Sequence, residues 1–262
     1  MNFQNHFTDK VILVTGASKG IGKDIAIGFA ELGARVAINY NRSFDSAKEV
    51  YDHIKKINEN VVLVKADVGK SVEVEEMISS VNRDLGNISI LVNNAGIAVW
   101  SSFLEITEEE FDKIISVDLK GAFLCSREAA KGMVKRKYGK IINISSTFGQ
   151  MAQLNLAHYC VAKAGVVMLT KAMAYELGKY NINVNCIGPS TIVTDQNKEF
   201  TSREEVRKKE EAVHPLGRIG ETKDIVNLTL FLASDYSSWI TGQFIMVDGG
   251  LSCRTPQEPY PR

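Results

Sequence analysis

Short β-branched runs alternate with longer amphipathic stretches along almost the whole chain, and this alternation limits the possible folds more than any other feature. The runs fall at residues 11–14, 35–38, 61–64, 88–92, 141–144, 182–186 and 244–247, and helical patterns fill about 21–32, 43–58, 71–85, 107–136, 156–179, 203–213 and 222–233. Strands separated by helices of this length read as repeated βαβ units, which build a mainly parallel sheet. The strand candidates are almost continuously apolar, so both faces of the sheet need a cover of helices. The expectation is an α/β fold: a single domain over residues 1–262 with a doubly wound parallel sheet of about seven strands. Helix starts carry supporting signals, among them Thr107-Glu108-Glu109-Glu110 with its acids in the first turn.

Composition narrows the function classes. Lys+Arg and Asp+Glu both number 31, so the formal net charge is zero and the broad basic footprint of a nucleic-acid binder is missing. Residues 1–10 are polar, and no later stretch approaches the roughly 18 apolar residues of a membrane span, so a soluble, cytoplasmic protein is expected. Cys125, Cys160, Cys186 and Cys253 are scattered and read as buried reduced thiols. The four histidines are equally dispersed, and no metal site is expected.

Directly after the first strand comes Thr15-Gly16-Ala17-Ser18-Lys19-Gly20-Ile21-Gly22, followed by a helix. Glycines in this place let the backbone turn tightly and approach a pyrophosphate, whose charge meets the helix amides and dipole. A Rossmann-type dinucleotide site is therefore expected. Cofactor type is read at the end of the second strand, where an acid binds a ribose hydroxyl and a base accommodates a 2′-phosphate. The run there is Ile38-Asn39-Tyr40-Asn41-Arg42, with no acid before Asp45. With Lys19 as a second cation, the pattern favours NADP(H), and NAD(H) stays possible.

Tyr159 and Lys163 lie four residues apart on the pattern 156–179. On a helix that spacing puts them on one face about 5–6 Å apart at Cβ. A phenol, with an ordinary pKa near 10, needs a neighbouring cation before it exchanges protons usefully at neutral pH, and an ammonium can supply one. Taken alone, the spacing is also what chance and simple ring packing produce.

Taken together, these motifs resemble the short-chain dehydrogenase/reductase family from about residue 11 to 250. The resemblance is carried by the Thr15–Gly22 loop, Asp67-Val68, Asn93-Asn94-Ala95-Gly96, Asn143-Ile144-Ser145-Ser146, Tyr159-x-x-x-Lys163, Gly188-Pro189 and Val247-Asp248-Gly249-Gly250, in the family's order. It implies that Tyr159 is the general acid-base and that Lys163 favours its phenolate and bonds the nicotinamide ribose. Thirteen residues before the tyrosine, Ser146 would orient the substrate oxygen and stabilise developing charge, whereas Ser145 reads as a strand-end serine bonded to backbone. Asp67 and Val68 would hold the adenine edge, Asn94, Ala95 and Gly96 would pass close to the adenine ribose, and Ile192 and Thr194 would grip the nicotinamide carboxamide.

Two positions depart from the family pattern. Asp118 stands where the resemblance places a catalytic asparagine that holds a relay water, either as a working relay acceptor or as a tolerated or engineered change. Ser190 follows Pro189 where glycine is usual, and its side chain either narrows the space beside the nicotinamide or offers a hydroxyl. Pocket candidates beside Ser146 and Tyr159 are Trp100, Gln150, Gln153 and Ser190, with Trp100 equally able to serve core or interface packing. The least regular connection, 190–215, reads as a substrate-covering loop, and 251–262 as a C-terminal tail.

The resemblance implies an oxidoreductase acting on a sugar, polyol or small ketone. A 3-oxoacyl-carrier-protein reductase shares every motif, and a non-catalytic dinucleotide-binding scaffold or sensor is the reading from another class. The expected partners are a small-molecule substrate and further copies in a homotetramer, with neither nucleic acid nor membrane. The pattern 107–136 and the pattern 156–179 would pair with their symmetry mates, with Val166, Val167, Leu169 and Met173 serving that interface or the core.

Overall fold

A computed structural model describes residues 3, 6–195 and 197–253. Six strands enter in chain order before the first irregular connection: β1 (Val11–Val14), β2 (Arg35–Tyr40), β3 (Val61–Lys65), β4 (Ile88–Asn93), β5 (Gly139–Ile144) and β6 (Ile182–Pro189). Two short strands, β7 (Ile192–Val193) and β8 (Gly220–Glu221), pair only with each other, and β9 (Phe244–Val247) returns to the main sheet. That sheet has seven strands in the order β3-β2-β1-β4-β5-β6-β9, and every pairing is parallel. The chain is thus a single-domain α/β molecule of the doubly wound kind, and its order reverses between β1 and β4.

The pleat sorts neighbouring side chains to opposite faces. Ile12 and Val14 belong to one buried cluster with Ile25, Phe29 and Ile225, whereas Val11 and Leu13 join Leu124, Met133 and Val184 on the other. Helices therefore cover both faces: α1 (Gly20–Glu31), α2 (Phe44–Ile57) and α9 (Thr222–Ala233) on the first, and α3 (Ser71–Asp84), α5 (Gly121–Arg136) and α6 (Ala157–Leu177) on the second. The remaining helices are α4 (Glu108–Ile114), α7 (Lys198–Thr201) and α8 (Glu204–Val213).

Two stretches differ from the sequence pattern. The helix expected over 107–136 opens with a capping box between Thr107 and Glu110, then widens into a π-helical turn at Ile115–Lys120 before continuing as α5. Apolar spacing hardly distinguishes the two helix types, and π-turns collect at functional sites because the extra residue redirects a side chain. Here the widened segment contains Asp118, buried at 2% exposure. The connection 190–215 carries β7, α7 and α8 and is no open loop. At the C-terminus Leu251–Cys253 form a short 3-10 turn, and the rest of the expected tail, 254–262, lies outside the described residues.

The cysteines also need a correction. Cys125 and Cys186 are buried, and burial pushes their thiols up to about 12 and about 11, but Cys160 is only partly covered and Cys253 is exposed. Cys253 ends the short turn that follows the last strand.

Candidate active site

Strand carboxyl ends around the β1/β4 reversal open on a cavity of about 540 Å³. Gly16 enters it at φ +61°, a left-handed conformation that costs a side-chain-bearing residue roughly 1–2 kcal/mol. Thr15 and Asn94 brace the turn. Thr15 Oγ1 accepts from the backbone N–H groups of Asn94 and Ala95, both at 3.0 Å, and Asn94 Nδ2 donates to the carbonyls of Thr15 and Gly16. Gly22 is not part of the cavity wall; a Cβ there would lie 2.3 Å from Asn94 Nδ2, so its bareness is what lets the brace form.

At the end of β2, Asn39 lines the cavity and also braces the framework. Its Oδ1 accepts from Gly16 N at 3.2 Å, and its Nδ2 reaches the carbonyls of Tyr40, Val64 and Ala66. Beyond it, Asn41, Arg42 and Ser43 line the cavity together with Ser18, Lys19, Gly20 and Ile21 from the glycine loop. Asp67 and Val68 close that end, and Asp67 Oδ1 accepts from Gly69 N at 3.0 Å. Two cations, Lys19 and Arg42, therefore line the cavity together with the glycine loop.

Toward the other end the cavity is walled by Asn94, Ala95, Gly96, Asp118, Ser146, Tyr159, Lys163, Pro189, Ser190 and Thr194. Lys163 and Tyr159 share a face of α6, with Nζ 5.4 Å from the centre of the phenol ring. Lys163 Nζ donates to the Ile144 carbonyl at 3.2 Å and stands 3.1 Å from Asp118 Oδ2. The second contact is an ion pair and not a directed hydrogen bond, since Oδ2 lacks a well-aligned donor. Asp118 Oδ1 accepts from Ile97 N at 2.8 Å. Burial raises the Asp118 carboxyl above its ordinary range, against the pull of the Lys163 charge. Burial also works to lower Lys163, but the Asp118 carboxylate and Tyr159 outweigh it, so the net direction is upward. Gly96 completes the cluster: a Cβ there would fall 2.8 Å from Asp118 Oδ2 and 3.2 Å from Lys163 Nζ.

Behind this cluster a buried polar thread ties the strands to the helices. Asn93 Nδ2 donates to Asn143 Oδ1 and to Ser126 Oγ, each at 2.8 Å, and Asn143 Nδ2 donates to Thr170 Oγ1 at 2.7 Å. The two serines after β5 both line the cavity and differ in their hydrogen bonds. Ser145 Oγ donates to the Lys163 carbonyl at 2.9 Å, while Ser146 Oγ accepts from Phe148 N at 3.2 Å and faces the cavity.

The connection after β6, which contributes Ser190 and Thr194 to the cavity wall, is pinned from two sides. Lys23 of α1 pairs with Asp195, a contact that raises the lysine, and Asn197 Oδ1 accepts from Thr194 N at 2.7 Å. Ser190 bonds His214 at 2.9 Å. Thr194 lines the cavity, but Ile192 faces a second cavity of about 370 Å³. Three expected pocket residues are not among those lining the first cavity: Trp100 is 63% exposed, Gln150 is exposed and Gln153 is partly covered. Sequence reasoning missed Lys113 in the last turn of α4 and Val117 in the π-turn, which both line the cavity, and His214, which carries no motif. Among the described residues no group of His, Cys, Asp or Glu could hold a metal ion, and no helix is long and apolar enough to cross a membrane.

A family model described as enoyl-(acyl carrier protein) reductase matches residues 16–252. A 3-oxoacyl-[acyl-carrier-protein] reductase of Staphylococcus epidermidis is 41% identical over 243 residues, covering 93% of this chain and 99% of the relative. A short-chain type dehydrogenase/reductase of Picea abies is 37% identical, with 92% of each chain covered. Among solved structures, a gluconate 5-dehydrogenase from Burkholderia cenocepacia, in complex with NADP and tartrate, superposes with a TM-score of 0.89 at 30% identity, covering 96% of this chain and 98% of its own. Fold, motif order and these similarities agree: the chain belongs to the short-chain dehydrogenase/reductase family of oxidoreductases.

Proposed function

We propose that the protein is an NADP(H)-preferring oxidoreductase that interconverts a secondary alcohol and its carbonyl, with a sugar, polyol or small ketone as substrate. The observation that carries the reading is that Ser146, Tyr159 and Lys163 share one cavity with the glycine cradle and with Lys19 and Arg42. Bound nicotinamide dinucleotide supplies the hydride donor or acceptor. The chain's own residues handle position and protons. In reduction the Tyr159 phenol gives its proton to the carbonyl oxygen, and in oxidation it takes that proton back. Ser146 donates to the same oxygen and stabilises the charge it develops. Lys163 holds a positive charge near the phenol, and Asp118 keeps Lys163 in place and charged.

The cofactor preference rests on Lys19 and Arg42 at the ribose end, with Asn41 and Ser43 able to bond a 2′-phosphate beside them. The substrate class draws support from the gluconate 5-dehydrogenase neighbour and its NADP complex. A 3-oxoacyl-carrier-protein reductase is the second reading, favoured by the 41% identity to the Staphylococcus epidermidis enzyme. The covering segment speaks against it, because five basic and five acidic residues between Lys198 and Val213 leave no net charge to attract an acidic carrier.

The protein is proposed to be cytoplasmic and to assemble as a homotetramer through α4–α5 and α6. Val166 is buried and Val167, Leu169 and Met173 pack against the core, so the interface falls to the exposed Val161, Met168 and Tyr175, spaced by seven on one face of α6, and to Phe111 and Phe123. Light scattering at a tetramer mass would support this, and a monomer would overturn it. For the activity, NADPH consumption is followed over ketones, sugars and acyl thioesters, beside NADP reduction with the matching alcohols. Turnover confined to acyl thioesters selects the second reading. Absence of all turnover points to a dinucleotide-binding scaffold or sensor.

A further inference from the structure

Ser190 and His214 come from the two ends of the covering connection and meet at 2.9 Å between Oγ and Nε2. His214 is 3% exposed. Its other ring nitrogen, Nδ1, lies 2.6 Å from the Glu210 carbonyl oxygen and 3.9 Å from the Glu210 carboxylate. A carbonyl oxygen only accepts, so Nδ1 carries the proton. In the neutral ring Nε2 is then an acceptor, and the Ser190 hydroxyl must donate to it.

This bond fixes what Ser190 offers to anything else. While the ring is neutral, the serine's single proton is committed to His214, and the lone pairs of Oγ are what Ser190 presents to a ligand. Ser190 forms part of the wall between the two cavities, and on the larger one it shares the lining with Pro189, Ser146 and Tyr159. Ser146 is arranged the opposite way, because it accepts from Phe148 N and keeps its proton available. The chamber therefore holds one serine able to donate to a reacting oxygen and a second serine limited to accepting. A substrate that places a hydroxyl against Ser190 satisfies those lone pairs, whereas an alkyl group in the same place strips water from them and returns nothing.

We propose that Ser190, oriented by His214, is a specificity-determining hydrogen-bond acceptor for a substrate hydroxyl, so that the preferred substrate is an α-hydroxy carbonyl or polyol in place of a plain ketone or acyl chain. The proposal rests on the oxidoreductase reading and narrows its substrate class. His214 is a positioning residue that acts through Ser190.

The test compares NADPH oxidation with 3-hydroxy-2-butanone and with 2-butanone, which share the reacting carbonyl and differ in one hydroxyl. The wild-type ratio of kcat/KM values is expected to favour the hydroxyketone by about tenfold, the range of a single hydrogen bond. Ser190→Ala should bring the ratio close to one, mainly through KM for the hydroxyketone, and Ser190→Thr should restore it. His214→Leu, which returns the serine proton, should lower the ratio as well. If His214→Leu does not fold, the Ser190 variants decide. A wild-type ratio near one, or an equal ratio in wild type and Ser190→Ala, overturns the proposal while leaving the oxidoreductase reading intact. Failure to turn over either ketone or any compound of the wider screen removes that reading and this proposal with it.

Discussion

Lys163 Nζ stands 3.1 Å from Asp118 Oδ2, with the two side chains 5% and 0% exposed. A buried charge is tolerated only when paired, and stripping one partner from such a pair costs about 3–5 kcal/mol. Asp118→Leu should therefore lower the unfolding free energy by about that amount in urea melts, because it leaves the Lys163 ammonium buried without a counter-charge. Asp118→Asn keeps an acceptor for Ile97 N and an oxygen near Lys163, so it should fold and retain activity. A complete loss of activity in Asp118→Asn would show that the two side chains are not interchangeable.

The same pair sets a pH dependence. Lys163 is raised above its ordinary 10.5, so whatever depends on its charge is fully present below that pH and is lost as pH climbs through the raised value. In Asp118→Asn the carboxylate that raises it is gone and the burial that lowers it remains. The alkaline limb of the kcat/KM profile should move toward neutral pH. A limb that stays in place would separate Asp118 from the charge on Lys163.

Removing the phenolic hydroxyl leaves the site without a group to exchange a proton with the substrate oxygen. Tyr159→Phe should reduce kcat by about 10²–10⁴, the usual worth of positioned general acid-base catalysis. Ser146→Ala should reduce it by about 10²–10³, as loss of one donor to a developing oxyanion does. NADPH binding, followed by nucleotide fluorescence, should survive in Ser146→Ala, since the glycine cradle is untouched. Ser145→Ala should act differently, through stability, because its hydroxyl bonds the Lys163 carbonyl.

Much of this site was legible in the chain because its parts are local. The seven strands announce themselves as apolar β-branched runs, and the glycine loop, Ser146 and the Tyr159-Lys163 pair each lie within a few residues of a strand end or on one helix face. What escaped depends on geometry between distant segments. Nothing in residues 107–136 distinguishes the π-turn at Ile115–Lys120 from ordinary helix, yet that turn accompanies Asp118 and Val117 into the cavity. The bond between Ser190 and His214 joins positions 24 residues apart, across short elements whose placement is tertiary. Asn39 lines the cavity, and its amide also bonds Gly16 and three carbonyls, a bracing use that only the packed strand ends reveal.

Cofactor preference should change with the cations at the ribose end. Arg42 and Lys19 line the same cavity, and a 2′-phosphate gains from charge-assisted hydrogen bonds that a plain ribose does not make. Arg42→Ala should raise KM for NADPH by about tenfold, the worth of one such bond, with little change for NADH. The double variant with Lys19→Ala should lose most of the remaining preference. Equal effects on both cofactors would move Arg42 away from the phosphate, and a wild-type preference for NADH would overturn the NADP assignment.

Gly96 offers a last check, because it tests the ion pair without touching either charge. A methyl group added there would sit 2.8 Å from Asp118 Oδ2 and 3.2 Å from Lys163 Nζ, closer than ordinary contact. Neither side chain can swing clear: Asp118 Oδ1 is held by Ile97 N, and Lys163 Nζ is held by the Ile144 carbonyl. Gly96→Ala should therefore push the pair apart, and overpacking of this kind costs about 1–3 kcal/mol. Displacement of Lys163 from beneath the Tyr159 ring should show as a drop in kcat larger than any rise in KM for NADPH, with the alkaline limb shifted in the same direction as in Asp118→Asn. If Gly96→Ala weakens NADPH binding and leaves the pH profile unchanged, the glycine is needed for the cofactor's passage and not for the Asp118–Lys163 pair.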